Sequence, residues 1–258
     1  MHDEQTLKAG LLHGRVAVVT GGASGLGRAI VSAFARAGAR GAALDLPAAL
    51  RQAELPPGWH GIAADVADER GVADAFAKVA STFDRLDVVV ANAGVVPPWR
   101  HIEDIDLDEW DAVFAVNVRG VMATIKHAAP RLRRPGGSIV AMASMNATRA
   151  HPMQTLYTAS KHAVLGIVRA AALDLGRHGI RVNALAPGPI ATEALLARMQ
   201  ARAEQGGLPV AAALQAASQT ALGRMASDRD VADAAVFLAS ELAGSMTGAM
   251  LPVDGGLA

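Results

Sequence analysis

The sequence predicts an α/β protein, a doubly wound parallel sheet with helices on both faces. Three observations predict it. Short apolar stretches alternate with helical patterns along the whole chain of 258 residues. The first stretch runs through a glycine-rich turn directly into a helix pattern. Polar residues such as Asp45 and Ser144 fall where later stretches end, and the carboxyl edge of a parallel sheet is where ligands bind. A chain of this length folds as one domain with a sizeable core.

Residues 15–20 are mostly apolar and β-branched and are ended by glycines, as a buried strand requires. After the turn, Ile30, Phe34 and Ala37 mark a helix that stops at Gly38. Residues 41–45, 60–64 and 86–91 read as the second, third and fourth strands, with a helix over 68–82. Trp110, Val113, Phe114, Asn117, Val121 and Ile125 predict a single helix over 108–132. Pro135-Gly136-Gly137 turns the chain into a strand ending at Ser144. A long apolar helix covers 156–177, followed by a strand at 180–185, a helix at 228–240 and a last strand at 249–253. Residues 189–225 are helix-prone but broken by Gly206-Gly207 and Pro209, either as a hinge or as a plain connection. Residues 1–13 read as an N-terminal extension ahead of the domain at 14–258.

Composition excludes several function classes. Apolar residues make up 52% of the chain, yet no run is long enough to span a bilayer. The 24 basic and 24 acidic side chains balance, so no nucleic-acid or membrane partner is expected. Without cysteine there is no disulfide and no thiolate metal site, and no metal is expected. Met1-His2-Asp3-Glu4 does not resemble an export signal, and a cytoplasmic location is expected.

Tyr157 and Lys161 lie four residues apart, on one face of the long helix. A lysine ammonium beside a phenol favours the phenolate. Bringing the phenol near neutrality takes about 4 kcal/mol of differential stabilisation and makes it a general base. Thr20-Gly21-Gly22-Ala23-Ser24-Gly25-Leu26-Gly27 offers backbone N–H groups and a helix N-terminus to a phosphate, and its glycines allow close approach. Asp45 stands 18 residues after Gly27, where an acid reads the ribose 2′-hydroxyl of NAD and repels the 2′-phosphate of NADP. Arg28 and Arg40 are the nearby cations that oppose this reading. Ser144 ends its strand 13 residues before Tyr157.

With these residues in this order, the chain resembles the classical short-chain dehydrogenase/reductase family from about Gly14 to its end. Thr20-Gly21-x-x-x-Gly25-x-Gly27 resembles the family's cofactor turn, and Asp65-Val66 its adenine-contacting pair. Asn92-Ala93-Gly94 resembles the N-A-G segment, with Ala91 where many members have asparagine. Asn117, Ser144, Tyr157 and Lys161 match the catalytic set. Pro187-Gly188 with Thr192 resembles the turn over the nicotinamide, and Val253-Asp254-Gly255-Gly256 the family's tail. The resemblance implies a Rossmann-like sheet of about seven parallel strands in the order 3-2-1-4-5-6-7, a substrate lid at about 189–225, and a homotetramer. It implies a cofactor site of Gly21, Ser24, Gly25, Leu26, Gly27, Asp45, Leu46, Asp65, Val66, Asn92, Ala93, Gly94, Tyr157, Lys161, Pro187, Gly188, Ile190 and Thr192. Tyr157 is expected to take the proton of a secondary alcohol while hydride passes to NAD⁺. Ser144 steadies the substrate oxygen, Lys161 holds the nicotinamide ribose, and Asn117 positions a relay water.

The pocket is expected to draw on Ser144, Met145, His151, Tyr157 and Trp99, beside Val95 and Val96. Methionine and aliphatic walls favour a cyclic or aryl-alkyl small molecule. Arg149 and His151 are the nearby groups able to read a polar substituent, and Arg198 and Arg202 keep an anionic substrate in view. Two alternatives stand beside an NAD-dependent alcohol dehydrogenase. One is an NADPH-dependent ketone or 3-oxoacyl-type reductase; the other, a non-catalytic NAD(H)-binding redox sensor.

Overall fold

Seven strands form one parallel sheet in the order β3-β2-β1-β4-β5-β6-β7. The strands are β1 Val16–Thr20, β2 Arg40–Asp45, β3 Trp59–Ala63, β4 Val88–Ala91, β5 Ser138–Met142, β6 Arg181–Pro187 and β7 Met250–Val253. The computed structural model describes residues 10–132, 137–204 and 206–257. Most of the predicted N-terminal extension, and Pro135 and Gly136 of the predicted turn, lie outside them.

The central strands are buried on both sides because each sheet face is covered there. Along β1, Val16 and Val18 pack into one core with Phe76, Val121, Val164 and Val168. Ala17 and Val19 point the other way, into a core with Ile30, Phe34, Val231 and Leu238. The strand register is unbroken across the centre, with Val18 opposite Ala42 on one side and Val89 on the other. The Rossmann-like doubly wound fold is thus present, with its topological switch between β1 and β4.

Helices α1 Gly25–Arg36, α2 Pro47–Gln52 and α3 Glu69–Thr82 connect the first strands. The short α2, opened by a proline at its first turn, was not anticipated. Asp68 starts α3 by accepting a hydrogen bond from the Arg70 amide. The single helix predicted over 108–132 is interrupted. It comprises α4 Leu107–Phe114, a wide π-helical turn Ala115–Arg119, and α5 Gly120–Ala128. Two long-range demands accompany the wide turn. The Asn117 side chain pairs with the backbone of Val95. A Cβ at Gly120 would stand 2.9 Å from the Val66 side chain, so this helix packs close against the end of β3.

Helix α6 Thr155–Gly176 buries Leu156, Val164, Leu165 and Val168. The segment at 189–225 forms α7 Glu193–Glu204 and α8 Val210–Ala217, broken at Gly206, whose φ of 86° suits glycine. Helix α9 Asp228–Ala239 begins in a reciprocal capping box between Ser227 and Asp230. Among the described residues no helix is long and apolar enough to cross a membrane.

At the amino edge of the sheet a buried carboxylate joins two strands. Asp87 is 4% exposed. It accepts hydrogen bonds from the Val16 amide at 2.9 Å, Arg85 Nε at 2.8 Å and Arg15 Nη1 at 3.3 Å. Asp87→Ala strands the Val16 N–H in the core. A loss of about 2 kcal/mol is expected, read as a lower urea midpoint at unchanged slope.

Candidate active site

The candidate residues gather at the carboxyl edge, around the switch point. Thr20 ends β1, and its hydroxyl accepts from the amides of Asn92 at 3.0 Å and Ala93 at 3.1 Å. The Asn92 side chain donates back to the carbonyls of Thr20 and Gly21. This pins the Asn92-Ala93-Gly94 segment against the glycine turn. The turn itself depends on close approach. A Cβ at Gly27 would lie 1.9 Å from the Gly21 carbonyl oxygen. Gly21 and Gly25 have positive φ, at 64° and 50°.

The turn fits a dinucleotide phosphate. Ser24 caps α1 without a side-chain hydrogen bond, and no acid lies in the first turn. The N-terminal amides are left without a side-chain cap, in a dipole field that favours an anion. A Cβ at Gly25 would meet nothing within 4 Å, so open space lies over the turn. Half-buried Leu26 follows. Asp45 sits beside the turn, taking the Ala23 amide at 2.9 Å and the Leu46 amide at 2.8 Å, while Leu46 itself is exposed. Arg40 faces elsewhere, paired with Asp84 at 3.0 Å. Asp65 accepts from the Ala67 amide, and Val66 is buried beneath Gly120.

Asn117, Ser144, Tyr157 and Lys161 come together where β4, β5 and α6 meet. Lys161 is 4% exposed and donates from Nζ to the Met142 carbonyl at 2.9 Å. Its Nζ stands 5.6 Å from the centre of the Tyr157 ring. Asn117, fully buried, donates to Val95 O at 2.8 Å and to Ser160 Oγ at 3.2 Å, and its Oδ1 accepts from the Val95 amide. Ser144 is hydrogen-bonded to Tyr157, and its Oγ accepts from the Asn146 amide at 3.2 Å. Strand β5 closes at Met142, two residues before the predicted end, and Ser144 opens the short 3-10 turn Met145–Ala147.

On the other side, buried Pro187 leads to Gly188, whose amide donates to Val253 O. A Cβ at Gly188 would press on Asp254 at 2.9 Å and on Met145 Sδ at 3.3 Å. Buried Ile190 forms a parallel bridge with Ala226, and Thr192 Oγ1 accepts from the Leu195 amide at 3.2 Å. A cleft beside the catalytic cluster is lined by Val96, Trp99, Met153, Leu156 and Tyr157. Met153 holds a φ of 64°, unusual for a side chain with a Cβ. Met145 is buried beneath the site, whereas His151 and Arg149 are exposed, Arg149 donating to Leu257 O. Sequence reasoning passed over the Thr20 hydroxyl, Ser160 and the Met142 carbonyl. Thr20 was visible as the first residue of the glycine turn; the other two depend on tertiary neighbours.

Electrostatics depart from expectation at the tyrosine. Burial raises the Tyr157 phenol above its ordinary value; the Ser144 hydrogen bond and the Arg198 charge oppose that rise. Lys161 turns its Nζ to Met142 O and is itself pushed down to about 8 by burial. Among the described residues no cluster of three or more acidic or histidine side chains could hold a metal.

Known proteins resemble the chain over nearly its whole length. A family model described as "Enoyl-(Acyl carrier protein) reductase" matches residues 21–258. D-threitol dehydrogenase of Mycolicibacterium smegmatis is 40% identical over 252 residues, covering 95% of this chain and 93% of the relative. The (+)-borneol dehydrogenase 2 of Salvia officinalis is 40% identical over 261 residues, covering 98% and 92%. The chain belongs to the short-chain dehydrogenase/reductase family. The crystal structure of NAD⁺-bound xylitol dehydrogenase superposes with a TM-score of 0.87 at 26% identity, over 95% of this chain and 99% of that one. As a short-chain dehydrogenase/reductase, the protein is an oxidoreductase acting on alcohol groups.

The buried lysine of this dehydrogenase has a consequence for stability. Lys161 titrates at about 8 folded, against 10.5 for an unperturbed lysine. Between those values the unfolded chain binds more protons, so stability rises with pH across that window and the burial penalty is fully present below it. Wild type is expected to gain stability relative to Lys161→Met as pH rises from 8 toward 10.5, measured by urea unfolding at stepped pH.

Proposed function

We propose that this short-chain dehydrogenase/reductase interconverts a secondary alcohol and its ketone with NAD(H), on a cyclic or aryl-alkyl small molecule. The observation that carries the reading is the cluster of Ser144, Tyr157 and Lys161, held by Asn117 at the carboxyl edge beside the glycine turn. Bound there, a nicotinamide cofactor supplies the hydride acceptor or donor. Gly21, Ser24, Gly25, Leu26 and Gly27 form its pyrophosphate cradle, with Asp45, Leu46, Asp65 and Val66 at the adenosine end. Asn92, Ala93, Gly94, Pro187, Gly188, Ile190 and Thr192 enclose the other end, with Tyr157 and Lys161 at the reacting side.

Tyr157 takes the alcohol proton onto its phenolic oxygen, or returns it to the carbonyl in the reverse direction. Ser144 donates toward the same oxygen and steadies the charge that develops there. Lys161, fixed on the Met142 carbonyl, presents its charge on the Tyr157 face. Asn117 commits its amide to Val95 and Ser160, and Ser160 in turn donates to the Tyr157 carbonyl at 2.8 Å. That chain of bonds fixes the backbone of the helix turn that carries the base.

Asp45 supports NAD over NADP, because a carboxylate on Ala23 and Leu46 repels a 2′-phosphate and Arg40 is occupied by Asp84. Exposed Val95 and Val96, with Trp99, Met153 and Met145, support an apolar substrate, in the manner of the relative named for the bicyclic alcohol borneol. Met122 and Leu173, exposed on α5 and α6, support a homotetramer built through those helices. A cytoplasmic location completes the reading.

NAD⁺ reduction against linear, alicyclic and aryl-alkyl secondary alcohols, repeated with NADP⁺, tests the assignment. Tyr157→Phe is expected to keep NAD(H) binding and lose turnover by about 10²–10⁴-fold; wild-type rates in that variant would overturn the mechanism. Asp45→Ala is expected to narrow the preference for NAD over NADP by roughly tenfold or more in kcat/KM. An unchanged ratio would place cofactor choice elsewhere.

A further inference from the structure

Helix α6 starts from a residue that does not cap it. The position before a helix favours Ser, Thr, Asp or Asn, whose short side chains reach the free amides of the first turn. Gln154 stands there and makes no side-chain cap bond. Its side chain turns instead to the loop after β5. Gln154 Oε1 accepts from Asn146 Nδ2 at 2.9 Å, and the same Nδ2 donates to Thr158 Oγ1 at 3.1 Å. Asn146 is 7% exposed, and its backbone amide donates to Ser144 Oγ. The half-buried glutamine is thus tied to the turn that carries Ser144.

The backbone holds Gln154 as firmly. Its amide donates to His151 O at 3.3 Å, and its carbonyl accepts from the Thr158 amide at 2.8 Å. Met153 before it keeps a φ of 64°, a costly conformation for a residue with a Cβ, and the Arg100 amide holds the Met153 carbonyl at 3.0 Å.

A carboxamide has one acceptor oxygen and two N–H donors. With Oε1 committed to Asn146, the planar group sends Nε2 the other way, and Nε2 has no hydrogen-bond partner among the described residues. Gln154 lines the same cleft as Tyr157, three residues further along, and positions three apart are neighbours on a helix. The charged groups of that lining are spent on each other: Arg100 pairs with Glu109 at 2.9 Å. The cleft therefore offers a neutral, fixed donor near the phenol, beside apolar walls.

We propose that Gln154 is a specificity-determining residue: its Nε2 donates to a second, neutral oxygen of the substrate, distinct from the one that reacts at Tyr157. The inference rests on the secondary-alcohol dehydrogenase reading and narrows its substrate class to alcohols with a further hydroxyl, ether or carbonyl oxygen. A substrate without that oxygen leaves the amide N–H groups unpaired in the closed cleft, and is selected against.

NAD⁺ reduction with cyclohexanol and with the 1,2-, 1,3- and 1,4-cyclohexanediols tests the second oxygen on one ring. Wild type is expected to prefer at least one diol over cyclohexanol by on the order of tenfold in kcat/KM. Gln154→Met removes donor and acceptor together. Gln154→Glu keeps an oxygen for Asn146 and loses the donor. Both are expected to lower the diol-to-cyclohexanol ratio by about tenfold. A wild type that oxidises no diol, or none better than cyclohexanol, overturns the proposal. So does an unmoved ratio in Gln154→Glu, or an equal loss on both compounds in Gln154→Met, which is what a purely structural tie to Asn146 would give. If Gln154→Met does not fold, the ratio in Gln154→Glu decides alone. Failure of the dehydrogenase mechanism is separable: turnover of these alcohols would then survive Tyr157→Phe.

Discussion

The Thr20 hydroxyl sits where the sheet changes direction, and the site is assembled around it. Strands β1 and β4 are neighbours in space but not in sequence, so the chain leaves their carboxyl ends on opposite sides. A crevice opens there by topology alone. Thr20 accepts the amides of Asn92 and Ala93 across that crevice, and Asn92 returns two bonds to the Thr20 and Gly21 carbonyls. The glycine turn on one wall and the Gly94–Asn117–Lys161 wall on the other are thereby held at fixed separation. A Cβ on Gly94 would come within 3.2 Å of Asn117 Oδ1, so the second wall has no slack.

From that junction the chemistry follows by packing. The wide turn at Ala115–Arg119 brings Asn117 to Val95 and Ser160. A π turn trades regular helical bonding for a displaced side chain, which is why such turns gather at functional sites. Lys161 is carried by α6 into a space where, among the described residues, its one hydrogen-bond acceptor is a strand-end carbonyl. Burial weakens its hold on the proton and also disfavours charge on Tyr157. Each group of the pair therefore leans toward its neutral form, and a hydrogen-bonded Ser144 and a nearby Arg198 oppose that on the phenol.

Much of this was legible in the sequence, for identifiable reasons. Strand positions followed from apolar runs bounded by turn residues, and all seven fall within a few residues of the expected ends. The switch-point order came from family resemblance and is the order observed. The one-helix reading of 108–132 failed because its hydrophobic period is correct on both sides of the bulge. What breaks it, the bond from Asn117 to Val95, spans 22 residues and leaves no mark on the local pattern. The direction of the Tyr157 shift was misjudged for a related reason: the spacing of Tyr157 and Lys161 encodes proximity, whereas desolvation is decided by what encloses them. Gly206 with Pro209 did mark a break between helices, because a positive φ and a missing N–H are local properties.

The last strand gives the fold a temporal order. Asn183 of β6 donates to Met246 O and accepts from the Ala249 amide, and Arg181 reaches the carbonyls of Leu238 and Ser240. During synthesis these groups leave the ribosome well before their partners. The open flank of β6 then offers unpaired backbone and a stranded guanidinium until residues 238–253 arrive. A nascent chain is therefore most vulnerable to edge-to-edge association after β6 has emerged and before residues 238–253 follow. Chaperone dependence of this protein would concentrate there, far from the chemistry that the finished molecule performs.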